Sequence, residues 1–119
     1  MIGRTYTMIT LNISEEFSET PGGRFISDGP FSGELFRENF LYPRYLASLK
    51  HDDQLEINFD GCYGFAACFL EEAFGGLVRK YHIIGLLDRL RIISSEDADL
   101  PVDLRRYVLE AEEALLYRA

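Results

Sequence analysis

Residues 60–79, D-G-C-Y-G-F-A-A-C-F-L-E-E-A-F-G-G-L-V-R, constrain this chain more than any other stretch. Just before them, Leu55-Glu56-Ile57-Asn58-Phe59 alternates apolar and polar residues, the period-two pattern of a half-buried strand. After a glycine-bearing loop, Phe65, Phe69, Ala73, Phe74, Leu77 and Val78 recur at three- and four-residue steps. That spacing places them on one face of a helix. Strand, loop and helix in this order predict an α/β arrangement. The loop then lies at the carboxyl end of a strand, where the first N–H groups of the helix are open. The pattern locates a site without specifying its chemistry.

The flanking segments extend this plan. Residues 5–13, T-Y-T-M-I-T-L-N-I, have β-type content with near alternation and read as a first strand. Residues 14–20 are polar around Phe17 and form a loop or a turn of helix. Pro21-Gly22-Gly23 predicts a tight turn, followed by a short second strand at Arg24-Phe25-Ile26. Ser32 is the expected N-cap of a long helix, with Phe31 as a staple residue and Glu34 favoured in the first turn. Pro43 implies either a kink there or a second short helix over 43–49. A turn at 50–53 leads into the strand at 54–59, and the helix that includes Cys68 runs to about Lys80.

Gly75-Gly76 inside that helix costs roughly 1 kcal/mol per glycine relative to alanine. Close packing of the helix on the sheet is the simplest offset. Residues 81–88 are too apolar for an exposed loop and suit a short helix, and 89–95 suit the last strand. Asp99 is an N-cap candidate ahead of Pro101, which fits a first helical turn. Leu104, Val108, Ala111 and Leu115 give the final helix its apolar face, with Arg105, Arg106, Glu110, Glu112 and Glu113 outward. The expectation is an α/β (α+β) fold with a small four-stranded sheet and helices packed on it.

With 119 residues, the chain suffices for one domain over 1–119 and not for two. Twelve Lys and Arg against 20 Asp and Glu give a net charge of −8. That balance argues against binding nucleic acid, which needs a basic face, and against docking on an anionic membrane. An acidic surface suits solubility or a basic protein partner. The first residues lack a signal-peptide core, no apolar run approaches the ~18 residues of a membrane span, and the expected setting is cytoplasmic, with reduced thiols.

Each candidate site residue has a bland reading beside a sharp one. Cys68, in the first helical turn, has the position of a thiolate nucleophile or redox sensor. It also fits as a small packing residue. His82, its only base candidate downstream, lies fourteen residues further on. Cys62 sits in the loop. The six-residue Cys62–Cys68 spacing matches neither a redox pair nor a zinc knuckle, and neither metal nor cofactor is implied. Asp60 either meets a cation or hydroxyl or caps the loop that follows. Glu71 and Glu72 point about 100° apart on a helix, which suits solvent-facing charges or contacts to a basic partner. Gly22, Gly23 and Arg24 form either an anion-binding nest or simply a turn. Arg37 and Arg79 suit surface ion pairs.

The blocks T-P-G-G-R-F (20–25), G-P-F-S-G-E-L-F-R-E (29–38) and Y-G-F-A-A-C-F-L-E-E-A-F-G-G-L-V-R (63–79) resemble the bacterial STAS-like domains of unknown function. The similarity runs over roughly residues 5–118. It implies a small mixed-sheet α/β fold that acts by binding proteins rather than by catalysis. The implied partner is an ATPase of the histidine-kinase type, and the implied contact set is Asp60, Tyr63, Gly64, Cys68, Glu71 and Glu72. Better-understood relatives switch partners when a serine at a helix N-terminus is phosphorylated. Here Cys68 stands where related sequences commonly carry that serine, and no Ser or Thr occurs from Asp60 to Ile93. Tyr63 is the one hydroxyl on the loop.

Overall fold

A computed structural model describes residues 8–117. Three strands, β1 (Ile9–Asn12), β2 (Leu55–Asn58) and β3 (Leu90–Ile93), form a parallel sheet in the order β1-β2-β3. Parallel neighbours need crossover connections. Helix α2 (residues 33–51) makes the first and α3 (residues 67–81) the second. A short α1 (Ile13–Glu16) follows β1, α4 (Leu86–Arg89) precedes β3, and α5 (Leu100–Leu116) ends the described chain.

Two right-handed crossovers taken in one direction across a sheet lie on the same face. The register agrees with a one-sided core. Leu11, Ile57 and Ile92 stand side by side, as do Ile9, Leu55 and Leu90, and these are the positions that pack with the helices. The alternate rows, Thr10-Glu56-Arg91 and Asn12-Asn58-Ile93, are exposed or half-buried. Parallel strands covered on both faces read as continuous apolar runs. Covering one face alone explains why β2 alternates instead.

The core joins Leu11, Leu55 and Ile57 to Phe36 and Leu41 of α2, Phe69, Phe74 and Leu77 of α3, and Leu104 and Val108 of α5. Burying each large side chain contributes ~1.5–3 kcal/mol. Phe17, expected in a polar segment, stands at the centre of an aromatic group. Its ring lies 5.2 Å from those of Phe36 and Phe40 and 5.7 Å from Phe31. The free edge of β1 is blocked by Arg44, which donates to the Thr10 carbonyl at 2.6 Å and pairs with Glu16 at 2.5 Å.

Four expectations need correction. The sheet has three strands among the described residues, not four, and all of them are parallel. Residues 24–26 are not a strand, because their backbone groups are engaged elsewhere. The Glu34 N–H donates to the Arg24 carbonyl at 3.0 Å, and Phe25 and Ile26 donate to the Asp28 and Glu34 carboxylates at 2.8 Å. Of the first predicted strand, residues 5–7 lie outside the described part, and Ile13 already begins α1. Pro43 does not break α2 in two: it falls in the first turn of the α-helical stretch Tyr42–His51, which continues directly from a π turn at Arg37–Leu41. In that wider turn the Tyr42 N–H reaches the Arg37 carbonyl, relieving the crowding a proline ring imposes one turn back.

The predicted N-cap at Ser32 is present, with its Oγ accepting from the Leu35 N–H at 3.1 Å. Asp99 holds the expected N-cap position of α5, but the side-chain acceptor there is Asp97, whose Oδ1 accepts from the N–H groups of Asp99 and Leu100.

Candidate functional site

Two features of α3 stand apart, its approach and its middle. The approach is the 60–66 loop at the carboxyl end of the central strand. Gly61 takes φ of +92°, open to glycine but strained for other residues, and a Cβ there would lie 2.6 Å from the Ser14 hydroxyl. The loop backbone is held from two sides. Gly61 N–H donates to Glu96 Oε1 at 2.9 Å, and Tyr63 N–H donates to the Glu19 carbonyl at 2.8 Å. The Cys62 thiol donates to the Ser18 carbonyl at 3.4 Å. Phe65 packs edge-on against Phe59, with ring centres 5.2 Å apart.

From this pinned backbone the Tyr63 side chain projects into solvent, 85% exposed. Gly64, Ala66 and Ala67 are exposed beside it, and Cys68 is half-buried. Ala66 occupies the N-cap position of α3 and provides no side-chain cap. A recess of about 240 Å³ opens here, lined by residues that include Phe59, Asp60, Tyr63, Phe65, Ser94 and Glu96.

Asp60 caps a loop, but not its own. Its carboxylate accepts from the Ser95 hydroxyl at 2.5 Å and from the Ser95 and Glu96 N–H groups at 3.2 and 3.1 Å. The Ser95 hydroxyl first, then the Glu96 N–H, hold the Asp60 carboxyl below its ordinary range. Burial pushes the Cys62 thiol up to about 11, aided by Glu96 and Glu19, which disfavours the nucleophilic thiolate at neutral pH. His82 caps the far end of α3 with φ of 54°, about 20 Å along the axis from Cys68, and is not placed to serve it as a base.

The middle of α3 holds an ion network. Glu72 is buried and pairs with the equally buried Arg37 at 2.5 Å, and Arg37 also donates to the Glu72 carbonyl at 3.0 Å. Arg24 donates to Glu71 at 2.8 Å and to Glu72 at 3.3 Å, and Arg79 pairs with Glu71 at 2.5 Å. Arg79 chiefly, against the opposing effect of burial and with help from Arg24, holds the Glu71 carboxyl below its ordinary range. Glu38 of α2 receives Arg37 at 2.8 Å, Lys80 at 2.7 Å and the Tyr81 hydroxyl at 2.6 Å. Burial alone would raise the Glu38 carboxyl, but these three donors draw it down to about 2.

This network corrects several expectations. Glu71 and Glu72 turn to arginines instead of solvent, since one guanidinium reaches both. Arg37 is a buried partner and not a surface one. Arg24 is engaged by two carboxylates, and the Gly22 N–H donates to the Phe31 carbonyl at 2.9 Å, so the 22–24 turn ties into the fold through both. The glycines serve the helix crossing more than the sheet. A Cβ on Gly33 would fall 2.5 Å from the Phe69 carbonyl oxygen, and one on Gly76 would fall 2.6 Å from Arg37 Nη1.

Residues that the sequence did not bring to the loop are Ser18, Glu19 and the 94–97 turn. The one available signal was register: Asn58 beside Ile93 sets residue 60 near residue 95. Among the described residues no group of three His, Cys, Asp or Glu side chains is arranged for a metal ion, and no helix is long and apolar enough to cross a membrane. A roomier, largely apolar recess of about 640 Å³ lies at the other end of α3, beside Arg79, His82, Ile84 and Leu115.

Parallel crossovers, a helix-lined core on one sheet face and a site loop after the central strand define a small α/β domain. The profile of one family, the STAS-like domain of unknown function, matches residues 32–100, and the chain belongs to that family. The match runs from the Ser32 cap to the first residue of α5, so it contains the whole of α2, the loop and α3, and is narrower than 5–118. Comparisons with curated proteins and with solved structures give no match.

Proposed function

We propose that the domain is a non-enzymatic regulatory module that docks a protein partner on the 60–68 surface. The observation that carries this reading is Tyr63, almost fully exposed on a loop tied down by the backbone N–H groups of Gly61 and Tyr63 and by the Cys62 thiol. An exposed tyrosine on an ordered loop presents a large apolar face with a polar tip. It is also a common binding anchor, because little side-chain and backbone freedom remains to be lost. Gly64, Ala66 and Ala67 leave the surface beside it low and open to close approach.

The rim sets the partner's chemistry. Glu96 and Asp97 are exposed beside Asp60, so the complementary face is basic around an apolar pocket for the tyrosine. Family membership fits a regulatory module, and an ATPase of the histidine-kinase type, which the STAS-like resemblance implies, is the partner proposed. Glu71 and Glu72 belong to the internal network and shape the helix that carries this surface instead of contacting the partner.

Affinity capture from the native host tests this. The wild-type domain is expected to retain an ATPase that Tyr63→Ala does not. Recovery of no partner by the wild type, or of the same proteins by Tyr63→Ala, overturns the reading.

A further inference from the structure

Helix α5 carries a second face that the core does not use. Its buried residues are Leu100, Leu104, Val108 and Ala111. On the opposite side Val102, Leu109 and Leu116 are 67%, 42% and 65% exposed. They are seven residues apart, two helical turns each, and so form one stripe along the helix. Arg105 and Arg106 flank the first half of the stripe, and Glu112 and Glu113 flank the second.

This arrangement is self-complementary about Leu109. Turn the helix end over end and Val102 exchanges with Leu116, while the arginine half exchanges with the glutamate half. We propose that α5 docks on α5 of a second copy of this chain, antiparallel, with the two-fold axis at Leu109. Each Arg106 then faces Glu113 of the second copy, each Arg105 faces Glu112, and Val102 meets Leu116. A parallel pairing instead sets arginine on arginine and glutamate on glutamate, so electrostatics selects the antiparallel one. The four flanking charges Arg105, Arg106, Glu112 and Glu113 sum to zero on a chain whose net charge is −8.

The flanking side chains reach the exchange from different starting points. Arg106 has an exposed 3.6 Å contact to Asp103, lies over the Tyr107 ring at 5.2 Å and feels the nearby Glu110 carboxylate. Glu112 is anchored, because its Oε1 accepts from the Gly85 and Leu86 N–H groups at 2.9 and 3.3 Å. The contact is thin, with one apolar residue in seven instead of two, on a helix about 25 Å long. It falls at the small end of protein interfaces, so a dissociation constant on the order of 10–100 µM is expected.

Sedimentation equilibrium up to roughly 500 µM, well above that constant, reads the outcome. The expected mass rises from 13.7 kDa toward twice that value. Leu109→Glu, an exposed substitution whose folding is checked by circular dichroism, is expected to hold the chain monomeric. Arg106→Glu is expected to weaken the dimer about tenfold or more, and adding Glu113→Arg to restore it. A chain that stays monomeric throughout, a dimer indifferent to Leu109→Glu, or a charge swap without rescue overturns the proposal. The surface is separate from the Tyr63 loop, so Tyr63→Ala is expected to leave the dimer unchanged.

Discussion

The first turn of α3 and its middle turns share one helix and face opposite demands. At Ala67–Leu70 the N-terminus has no side-chain cap, and the residues leading into it are exposed. At Glu71–Gly75 the helix widens into a π turn, every residue but Glu71 is buried, and two carboxylates are clamped by three arginines. The network fixes α3 against α2 and the 20–24 segment. The exposed start of α3, at Ala66 and Ala67, can therefore remain open without loosening the helix. Rigidity and availability are placed one turn apart, and each can be tested separately.

The largest effect is expected where the buried pair is broken. Arg37→Ala leaves Glu72 buried with the longer Arg24 contact at 3.3 Å in place of its closest cation, and removing one partner of a buried pair costs about 3–5 kcal/mol. Thermal unfolding should fall by more than about 10 °C. The double replacement Arg37→Met with Glu72→Leu is expected to recover most of that loss, because an apolar pair carries no unpaired charge. Equal melting of the single and double variants would mean that the pair is not desolvated as the structure shows.

Next in size is the helix crossing. Gly33→Ala drives a methyl group to 2.5 Å from a backbone oxygen, which cannot swing aside as a side chain can. A loss of about 1–3 kcal/mol is expected in urea unfolding. Gly76→Ala displaces the Arg37 guanidinium instead, so its cost should shrink when Arg37 is already Ala. Additive losses for Gly76→Ala and Arg37→Ala would show that the glycine serves some other contact.

What could be read from the chain divides along the same line. The strand, loop and helix of 55–81 were visible because alternation and 3.6-residue spacing are local signals, and Ser32 announced its cap through its side-chain oxygen. Glu72 gave no such notice. Its burial depends on Arg37, thirty-five positions earlier, and a charged residue reads as exposed until its partner is known. The Gly75-Gly76 pair did signal close approach, but the sequence could not say that a helix and a guanidinium approach there. Phe25 and Ile26 resembled a strand because β propensity does not report that the Asp28 and Glu34 carboxylates would take their N–H groups. Asp60 was legible as a cap, but its partners at 95 and 96 follow only from the parallel register.

A pH titration sharpens the comparison at the far end of α3. Glu38 has a folded carboxyl drawn down to about 2 by Lys80, Tyr81 and Arg37. A group depressed in the folded state stabilises above its unfolded value, near 4.5, and its contribution is lost as pH falls from there toward 2. The expected contribution is about 1–2 kcal/mol once screening at a partly exposed site is allowed for. Glu38→Gln should therefore lower stability at pH 7 and flatten the fall between pH 5 and 3. An unchanged acid slope would show that the α2–α3 contact does not depend on this charge.

The smallest expected effect on stability is the most informative about the exposed turn. Tyr63→Ala removes a ring that is 85% exposed, while the loop stays tied by the backbone N–H groups of residues 61 and 63. The melting temperature should move by less than about 2 °C, within the ±0.5 kcal/mol usual for surface changes. Partner affinity should fall about thirtyfold or more, the scale of a truncated aromatic anchor. A drop in melting temperature comparable to that of Gly33→Ala would place the ring in the folded core's energetics and erase the distinction between the two parts of α3. Unchanged stability with lost affinity would separate them, because a variant that folds as well as the parent can lose its partner only through the surface it presents.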